Sequence, residues 1–187
     1  MSQTTKRALA ASLKKLLSDK PLDKITVTDI AEDCGVNRQT FYYHFQDIYD
    51  LVEWIYTSEA TAAIGGKKTY DTWQEGFAHT FRYLLDNRAF VTRTYHSISR
   101  EHLERYLYHE TYELLSGVVE EKAAGLSVRE EDKAFIAHFY KYGFVGLVLD
   151  WIGGGMKGEP REIIDRLELV IRGSIPQALE RFSTRKN

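Results

Sequence analysis

The stretch Ile25–Leu51, ITVTDIAEDCGVNRQTFYYHFQDIYDL, decides the fold. Thr26 and Asp29 stand three residues apart, which is typical of the box that caps the start of a helix. Gly35 favours the left-handed backbone conformation that ends a helix in a tight turn. The stretch therefore begins with a short helix that stops at a glycine turn.

A second helix is predicted over Arg38–His44, directly after the turn, with Asn37 as its N-cap. Two short helices joined in this way predict a helix-turn-helix. No acidic residue occurs between Cys34 and Gln46, and hydrogen-bond donors occupy the second helix instead. DNA phosphates repel carboxylates, and the major groove of B-DNA admits a helix of this kind.

The side chains of this second helix match the chemistry of DNA. Arginine bonds guanine and glutamine bonds adenine, and both stand in the first turn, where recognition helices touch base edges. Tyrosine, threonine and histidine suit phosphate oxygens, which position a helix without specifying sequence. The predicted DNA-binding residues are Arg38, Gln39, Thr40, Tyr42, Tyr43 and His44 on this helix and Thr28 on the preceding one.

The rest of the chain shows helical periodicity and little strand-like alternation, so we predict an all-α fold of about nine helices. A three-helix DNA-binding domain with a helix-turn-helix would occupy residues 1–46, and a C-terminal helical bundle residues 47–187. Gly65–Lys68 is the predicted turn between subdomains, and Ser127 with Glu130 is a predicted helix cap. The other predicted helices are Thr4–Ser18, Asp47–Ala63, Tyr70–Asp86, Arg88–Ser97, Arg100–Ala124, Val128–Gly153 and Pro160–Thr184.

Composition bounds the class of protein. Apolar residues make up 43% and charged residues 28% of the chain, which predicts a globular protein and not a disordered one. The net charge is −2, so contact with nucleic acid must come from a local patch. The single cysteine, Cys34, excludes an internal disulfide framework. We expect a cytoplasmic protein without a membrane partner, because neither a secretory signal nor a long apolar run is present.

The helix-turn-helix residues resemble the N-terminal domain of TetR-family regulators over about residues 4–55. The resemblance rests on Ile30–Ala31, on Cys34–Val36, on Tyr42–Phe45 and on Leu51. It implies that the residues named above face DNA and that Thr28 touches phosphate.

Ile48 departs from the pattern of that family. Many members have a lysine here, at the start of the fourth helix, as a phosphate contact. The contact is either lost or replaced by backbone amides near Asp47. The first fifty residues are also neutral, with seven basic and seven acidic side chains. Both features favour, weakly, a protein-interaction module that keeps the helix-turn-helix as a relic.

The C-terminal half resembles, more loosely, regulators related to those of dihydroxyacetone kinase operons. The cues are Trp54, Trp73, the glycines of Tyr142–Gly146, Trp151 and a glycine-rich end before Pro160. Aromatic residues of this half either line an effector pocket or fill the core. The candidate ligand-binding residues are Trp73, Phe90, His96, His138 and Tyr142.

Gly143 and Gly146 lie on one face of a helix, on adjacent turns. A glycine inside a helix costs about 1 kcal/mol relative to alanine, so a close approach of two helices is expected there. We assign the last two helices to a dimer interface, although some of their apolar residues face the subunit's own core. The candidate interface residues are Phe144, Leu147, Trp151, Leu167, Ile171 and Ile175.

These features predict a homodimeric repressor that binds a palindromic operator and is released or modulated by a small ligand. The alternative is a regulator without a ligand, controlled by a protein partner. An enzyme is not expected, because the chain has no catalytic motif, no cofactor loop and no complete metal triad. His102 and His109 could hold zinc adventitiously, but a surface or packing role is favoured. Cys34 is read as a small buried residue rather than a redox sensor.

Overall fold

The computed structural model describes residues 2–60, 69, 71–97 and 100–183. These residues form α-helices and contain no β-strand, which confirms the all-α prediction. The N-terminal helices are α1 (Ser2–Asp19), α2 (Val27–Asp33), α3 (Arg38–His44) and α4 (Ile48–Ile55). They are followed by α5 (Trp73–Asp86), α6 (Arg88–Tyr95), α7 (Arg100–Ala123), α8 (Glu130–Gly153), α9 (Pro160–Ile171) and α10 (Ser174–Ser183).

Two compact units are present, Met1–Thr61 with Leu84–Tyr106 and Ala62–Tyr83 with Leu107–Asn187. The division into domains at residues 1–46 and 47–187 stays a prediction. The predicted turn at Gly65–Lys68 lies outside the described residues.

The first unit has α1 at its centre. Leu9, Leu13 and Leu17 recur every four residues along α1 and are fully buried, as expected for the apolar stripe of an amphipathic helix. Beyond α2, α3 and α4, this unit includes α6, which packs against α1. Lys14 of α1 donates a hydrogen bond of 2.8 Å to Asn87, directly before α6. Contacts from a distant part of the chain thus support the helix-turn-helix.

The second unit has an aromatic core. Phe144 of α8 packs its ring against Trp73 and Phe77 of α5, at centroid distances of 5.6 and 4.9 Å. Trp151 packs edge-on against Phe81 at 5.0 Å. Side chains of this size dominate the energetics of a core, and these ring contacts join α5 to α8.

The structure corrects two predicted boundaries. The predicted helix Pro160–Thr184 is two helices, because Gly173 adopts φ +73° between α9 and α10. Such a backbone conformation favours glycine and ends a helix. The predicted cap at Ser127 is also wrong, since α8 begins at Glu130 with Arg129 as its N-cap. Within the described part of the chain, no helix is long and apolar enough to span a bilayer.

Candidate nucleic-acid interface

The turn between α2 and α3 is built as the sequence predicts. Gly35 has φ +68°, and the Val36 amide donates to the carbonyl of Ala31 at 2.9 Å. Asn37 then caps α3, since its side-chain oxygen accepts a hydrogen bond of 2.8 Å from the Thr40 amide. Local hydrogen bonds therefore set the position at which α3 starts.

Packing decides which face of α3 meets solvent. Phe41 is fully buried, as is Ile30 of α2, and Phe45 at the end of α3 is buried too. Tyr43 is 83% exposed and Tyr42 is 51% exposed, with its ring edge against Phe41. Phe41 and Phe45 thus pack into the core of the unit, and the two tyrosines are exposed to solvent.

The predicted DNA-binding residues are gathered on one short element. Arg38 and Gln39 are exposed in the first turn of α3, and Thr40 and His44 are half-buried. The Thr40 hydroxyl donates to the Asn37 side chain at 3.0 Å, so its proton is already engaged within the protein. Thr28 lies half-buried on α2. The exposed face thus presents a guanidinium, an amide and two phenols, and no carboxylate.

Ion pairs distribute the charges of the N-terminal residues unevenly, although the acidic and basic side chains are equal in number. Lys15 pairs with Asp33, Lys20 with Asp29 and Lys24 with Asp23. Among the residues that the structure describes, by contrast, Lys6, Arg7 and Arg38 form no ion pair. Acidic groups therefore cancel lysines elsewhere in the unit, while the arginine of α3 keeps its full charge for a polyanion.

Two backbone amides at the start of α4 are already bonded within the chain. The Asp47 carboxylate accepts a hydrogen bond of 2.9 Å from the Asp50 amide, and the Asp50 carboxylate accepts one of 2.9 Å from the Gln46 amide. Two of the amides that sequence analysis offered to a phosphate are therefore occupied by carboxylates, and Ile48 is half-buried.

Residues 3–55 match the bacterial regulatory proteins of the tetR family, and residues 71–173 match a transcriptional regulator C-terminal region. The chain belongs to the TetR family. It is a DNA-binding transcriptional regulator and not an enzyme, as predicted, because the matching families and relatives are transcriptional regulators.

Relatives of known name support this membership. The dhaKLM operon transcriptional activator DhaS of Lactococcus lactis subsp. lactis (strain IL1403) is 26% identical over 137 residues, which is 72% of each chain. EthR of Mycobacterium tuberculosis is 45% identical over 38 residues, which is 20% of this chain and 18% of EthR. The similarity to DhaS confirms the predicted resemblance of the C-terminal half.

Solved structures share the fold. The dihydroxyacetone kinase operon activator DhaS superposes with a TM-score of 0.71 at 22% identity, covering 95% of this chain and 97% of DhaS. NalD, the secondary repressor of the MexAB-OprM multidrug efflux pump in Pseudomonas aeruginosa, has a TM-score of 0.63 at 16% identity, covering 96% and 98%. At such identities the likeness shows the TetR-family fold and nothing finer.

The predicted ligand-binding residues are not gathered at one cavity. Trp73 is buried and lines a cavity of about 300 Å³ in the second unit, with Gln74, Val118, Glu168 and Arg172 among its other walls. His138 and Tyr142 of that unit are exposed and do not line this cavity. Phe90 and His96 belong to the first unit, where Phe90 is buried against the Tyr56 ring at 4.8 Å and His96 is exposed.

The predicted interface residues of this TetR-family chain differ in exposure. All of them except Leu147 are buried in the second unit. Leu147 is exposed, and with Phe144, Leu167 and Ile171 it lines an open groove of about 890 Å³ between α8 and α9. The same groove has walls that sequence analysis did not assign to an interface, notably Phe139 and Tyr142. Both lie about one helical turn or less from Gly143. Their position next to this glycine is the feature of the sequence that could have predicted them as interface residues.

Cys34 and His102 each have a contact within the first unit. The Cys34 thiol bonds the carbonyl of Ala8 at 3.2 Å, and burial raises its pKa. His102 lies 3.4 Å from the Glu53 carboxylate, and the described residues contain no group of three His, Cys, Asp or Glu side chains placed to hold a metal ion.

Proposed function

We propose that this protein acts in the cytoplasm as a homodimer that binds a palindromic operator, with one α3 helix in each major-groove half-site. The observation that carries the proposal is the outward face of α3, where Arg38, Gln39 and Tyr43 are exposed without a neighbouring acid. Half-sites about 34–36 Å apart, or one helical turn, are expected for two such helices.

The role of α3 as the helix that contacts base edges, here called the reading helix, is tested in two steps. Bound DNA is first selected from a random pool, and the affinity of variants for the selected site is then measured. Arg38→Ala should weaken binding by about fivefold to 150-fold per half-site and relax the sequence preference, because a bidentate base contact is worth about 1–3 kcal/mol. Arg93→Ala, at an exposed arginine of α6, is the matched control. Unchanged affinity of the Arg38 variant would contradict the role of α3.

The groove between α8 and α9 is the surface that we propose for dimerisation. Phe139 is 65% exposed, Tyr142 59% and Val170 78%, and these apolar side chains lie together along the groove. Exposed apolar patches of this kind mark interaction sites. Among the residues that the structure describes, no atom beyond the adjacent part of α8 lies within 4 Å of a Cβ added at Gly143 or Gly146. The glycines thus leave space beside α8 that a second copy of the helix would occupy.

Dimerisation is tested by sedimentation of purified protein. Leu147→Lys places a charge in the groove and should shift the population from dimer to monomer. Leu126→Lys is the control, because Leu126 is exposed to a similar degree, 37% against 42%, but does not line the groove. Equal sedimentation of the two variants as dimers would place the interface elsewhere.

The cavity beside Trp73 is the site that we propose for a small-molecule effector. Trp73 and Val118 form apolar walls, and the Glu168–Arg172 ion pair of 2.9 Å supplies polar groups at the side. A volume of about 300 Å³ is at the lower end for ligand pockets, so the effector would be small. Val118→Phe should fill the cavity and abolish any ligand-induced rise in the unfolding temperature. Control by a protein partner becomes the better hypothesis if no compound raises that temperature.

Repression is the direction of regulation that we propose first, because a dimer bound across a promoter excludes polymerase. Activation is the second candidate, and the similarity to the activator DhaS over 72% of the chain favours it. Transcription from the natural promoter with purified polymerase separates them, since added protein lowers transcript yield in one case and raises it in the other.

A further inference from the structure

Lys6 lies in the DNA-binding unit with its ammonium against two aromatic rings and not against an acidic side chain. Its ammonium stands 5.1 Å from the centroid of the Phe45 ring and 5.8 Å from that of Trp54. It forms no ion pair with any described residue. Aromatic faces hold a cation in place without pairing it to an acid, so the two rings orient the side chain.

The position of that ammonium is set by the end of the reading helix. Phe45 is the C-cap of α3, and Trp54 belongs to α4. Lys6 therefore lies beside the junction of α3 and α4, while Arg38 occupies the opposite end of α3. A seven-residue helix is about 10 Å long, and the major groove is about 12 Å wide between phosphate backbones. The two cations stand at the two ends of the helix that would enter the groove.

Two backbone amides at the same junction are already engaged. The Gln46 and Asp50 amides are bonded to carboxylates, and Ile48 has no charge. Asp47 and Asp50 would repel a phosphate that approached α4. A DNA backbone that passes this junction would therefore approach the ammonium of Lys6, which lies against the ring of Phe45, the C-cap of α3.

We propose that Lys6 binds a backbone phosphate of the operator and positions α3, without reading sequence. The inference rests on the proposed function, in which α3 enters the major groove. The Lys6 side chain would be pre-oriented by Phe45 and Trp54, so that little conformational freedom is lost when DNA binds.

The test measures operator affinity against salt concentration for Lys6→Met, which keeps the apolar stem over the two rings and removes the charge. Each phosphate contact contributes about 0.9 to the slope of log affinity against log salt. The dimer should therefore lose about 1.8 from that slope, and unrelated DNA should lose affinity to the same extent as the operator. Lys6→Arg should keep the wild-type slope. Lys24→Met is the control, since Lys24 is exposed and paired with Asp23.

The outcomes separate this inference from the function on which it rests. If Arg38→Ala weakens operator binding while Lys6→Met keeps the wild-type slope, the Lys6 contact is refuted and the reading helix stands. If neither variant changes binding, the proposed reading helix fails as well. Should Lys6→Met unfold, Lys6→Gln gives the same measurement, and a wild-type slope in that variant overturns the inference.

Discussion

Single residues at the start of α2 show how strongly local chemistry controls this fold. The Asp29 carboxylate accepts hydrogen bonds of 2.7 Å from both the amide and the hydroxyl of Thr26. Lys20 lies 3.1 Å away. These contacts, those of Thr26 first, hold the pKa of Asp29 at about 2. The capping box thereby sets the residue at which α2, the helix that packs against α3, begins.

Asp29→Asn should make stability less dependent on pH in the acid range. Because the pKa of Asp29 is depressed in the folded state, its ionised form stabilises the protein above the unfolded value near 3.9, and this stabilisation disappears as the pH falls toward 2. The unfolding temperature of the variant should lie below that of the wild type at pH 6, and the difference should shrink between pH 4 and pH 2. A constant difference over this range would contradict the assignment.

Cys34 should react slowly with alkylating reagents. Burial raises the pKa of its thiol and the neighbouring Asp33 raises it further, so little thiolate exists at pH 7. Modification by iodoacetamide at pH 7 should be slower than that of a free cysteine, and Cys34→Ser should leave DNA affinity unchanged. Rapid modification with loss of DNA binding would instead identify a redox sensor.

At the scale of elements, α4 and α8 each have one feature that bears on a proposed partner. Ile48 places an apolar side chain between Asp47 and Asp50 at the start of α4, and the two glycines leave space beside α8. Both features can be tested by substitution.

Ile48→Lys should strengthen DNA binding. The new ammonium would stand at the start of α4, near the end of α3, and add one phosphate contact per subunit. The slope of log affinity against log salt should become steeper by about 1.8 for the dimer. The measurement is operator affinity between low and moderate salt, and an unchanged slope would show that phosphates do not approach this end of α4.

Replacing both Gly143 and Gly146 with alanine should affect the dimer and the monomer in opposite directions. Alanine stabilises a helix by up to about 1 kcal/mol per glycine replaced, and no described atom beyond the adjacent part of α8 opposes the new methyl groups. A second helix packed against this face would be pushed away, so the dimer should dissociate at least tenfold more readily. Sedimentation equilibrium measures this change, and an unaltered dimer would exclude close helix approach at α8.

At the scale of the whole molecule, dimerisation would couple stability to concentration. Ligands and partner subunits that bind only the folded state raise the apparent stability by mass action. The unfolding temperature should therefore rise with protein concentration, and the Leu147→Lys variant should lose this dependence. A wild-type unfolding temperature that is independent of concentration would argue against a dimer built on the groove.

Sequence alone determined the helix-turn-helix, including the bounds of α3 and both caps. These features depend on hydrogen bonds between residues three or four apart, such as Thr26 with Asp29 and Asn37 with Thr40, so the pattern of residues contains the whole interaction. The break at Gly173 was also accessible, because Gly173 and Pro176 mark a helix end and a helix start. It was missed because the apolar period continues across it.

Tertiary structure decided which apolar side chains are exposed. Phe144 and Phe139 are both aromatic residues of α8, yet Phe144 is buried against α5 and Phe139 is exposed to solvent. The difference arises from contacts with residues more than sixty positions away, which no local pattern records. The support of α1 by α6 and the separation of the five candidate ligand residues have the same origin. Helix starts and turns depend on hydrogen bonds between residues close in sequence, whereas burial depends on contacts between residues far apart in the chain.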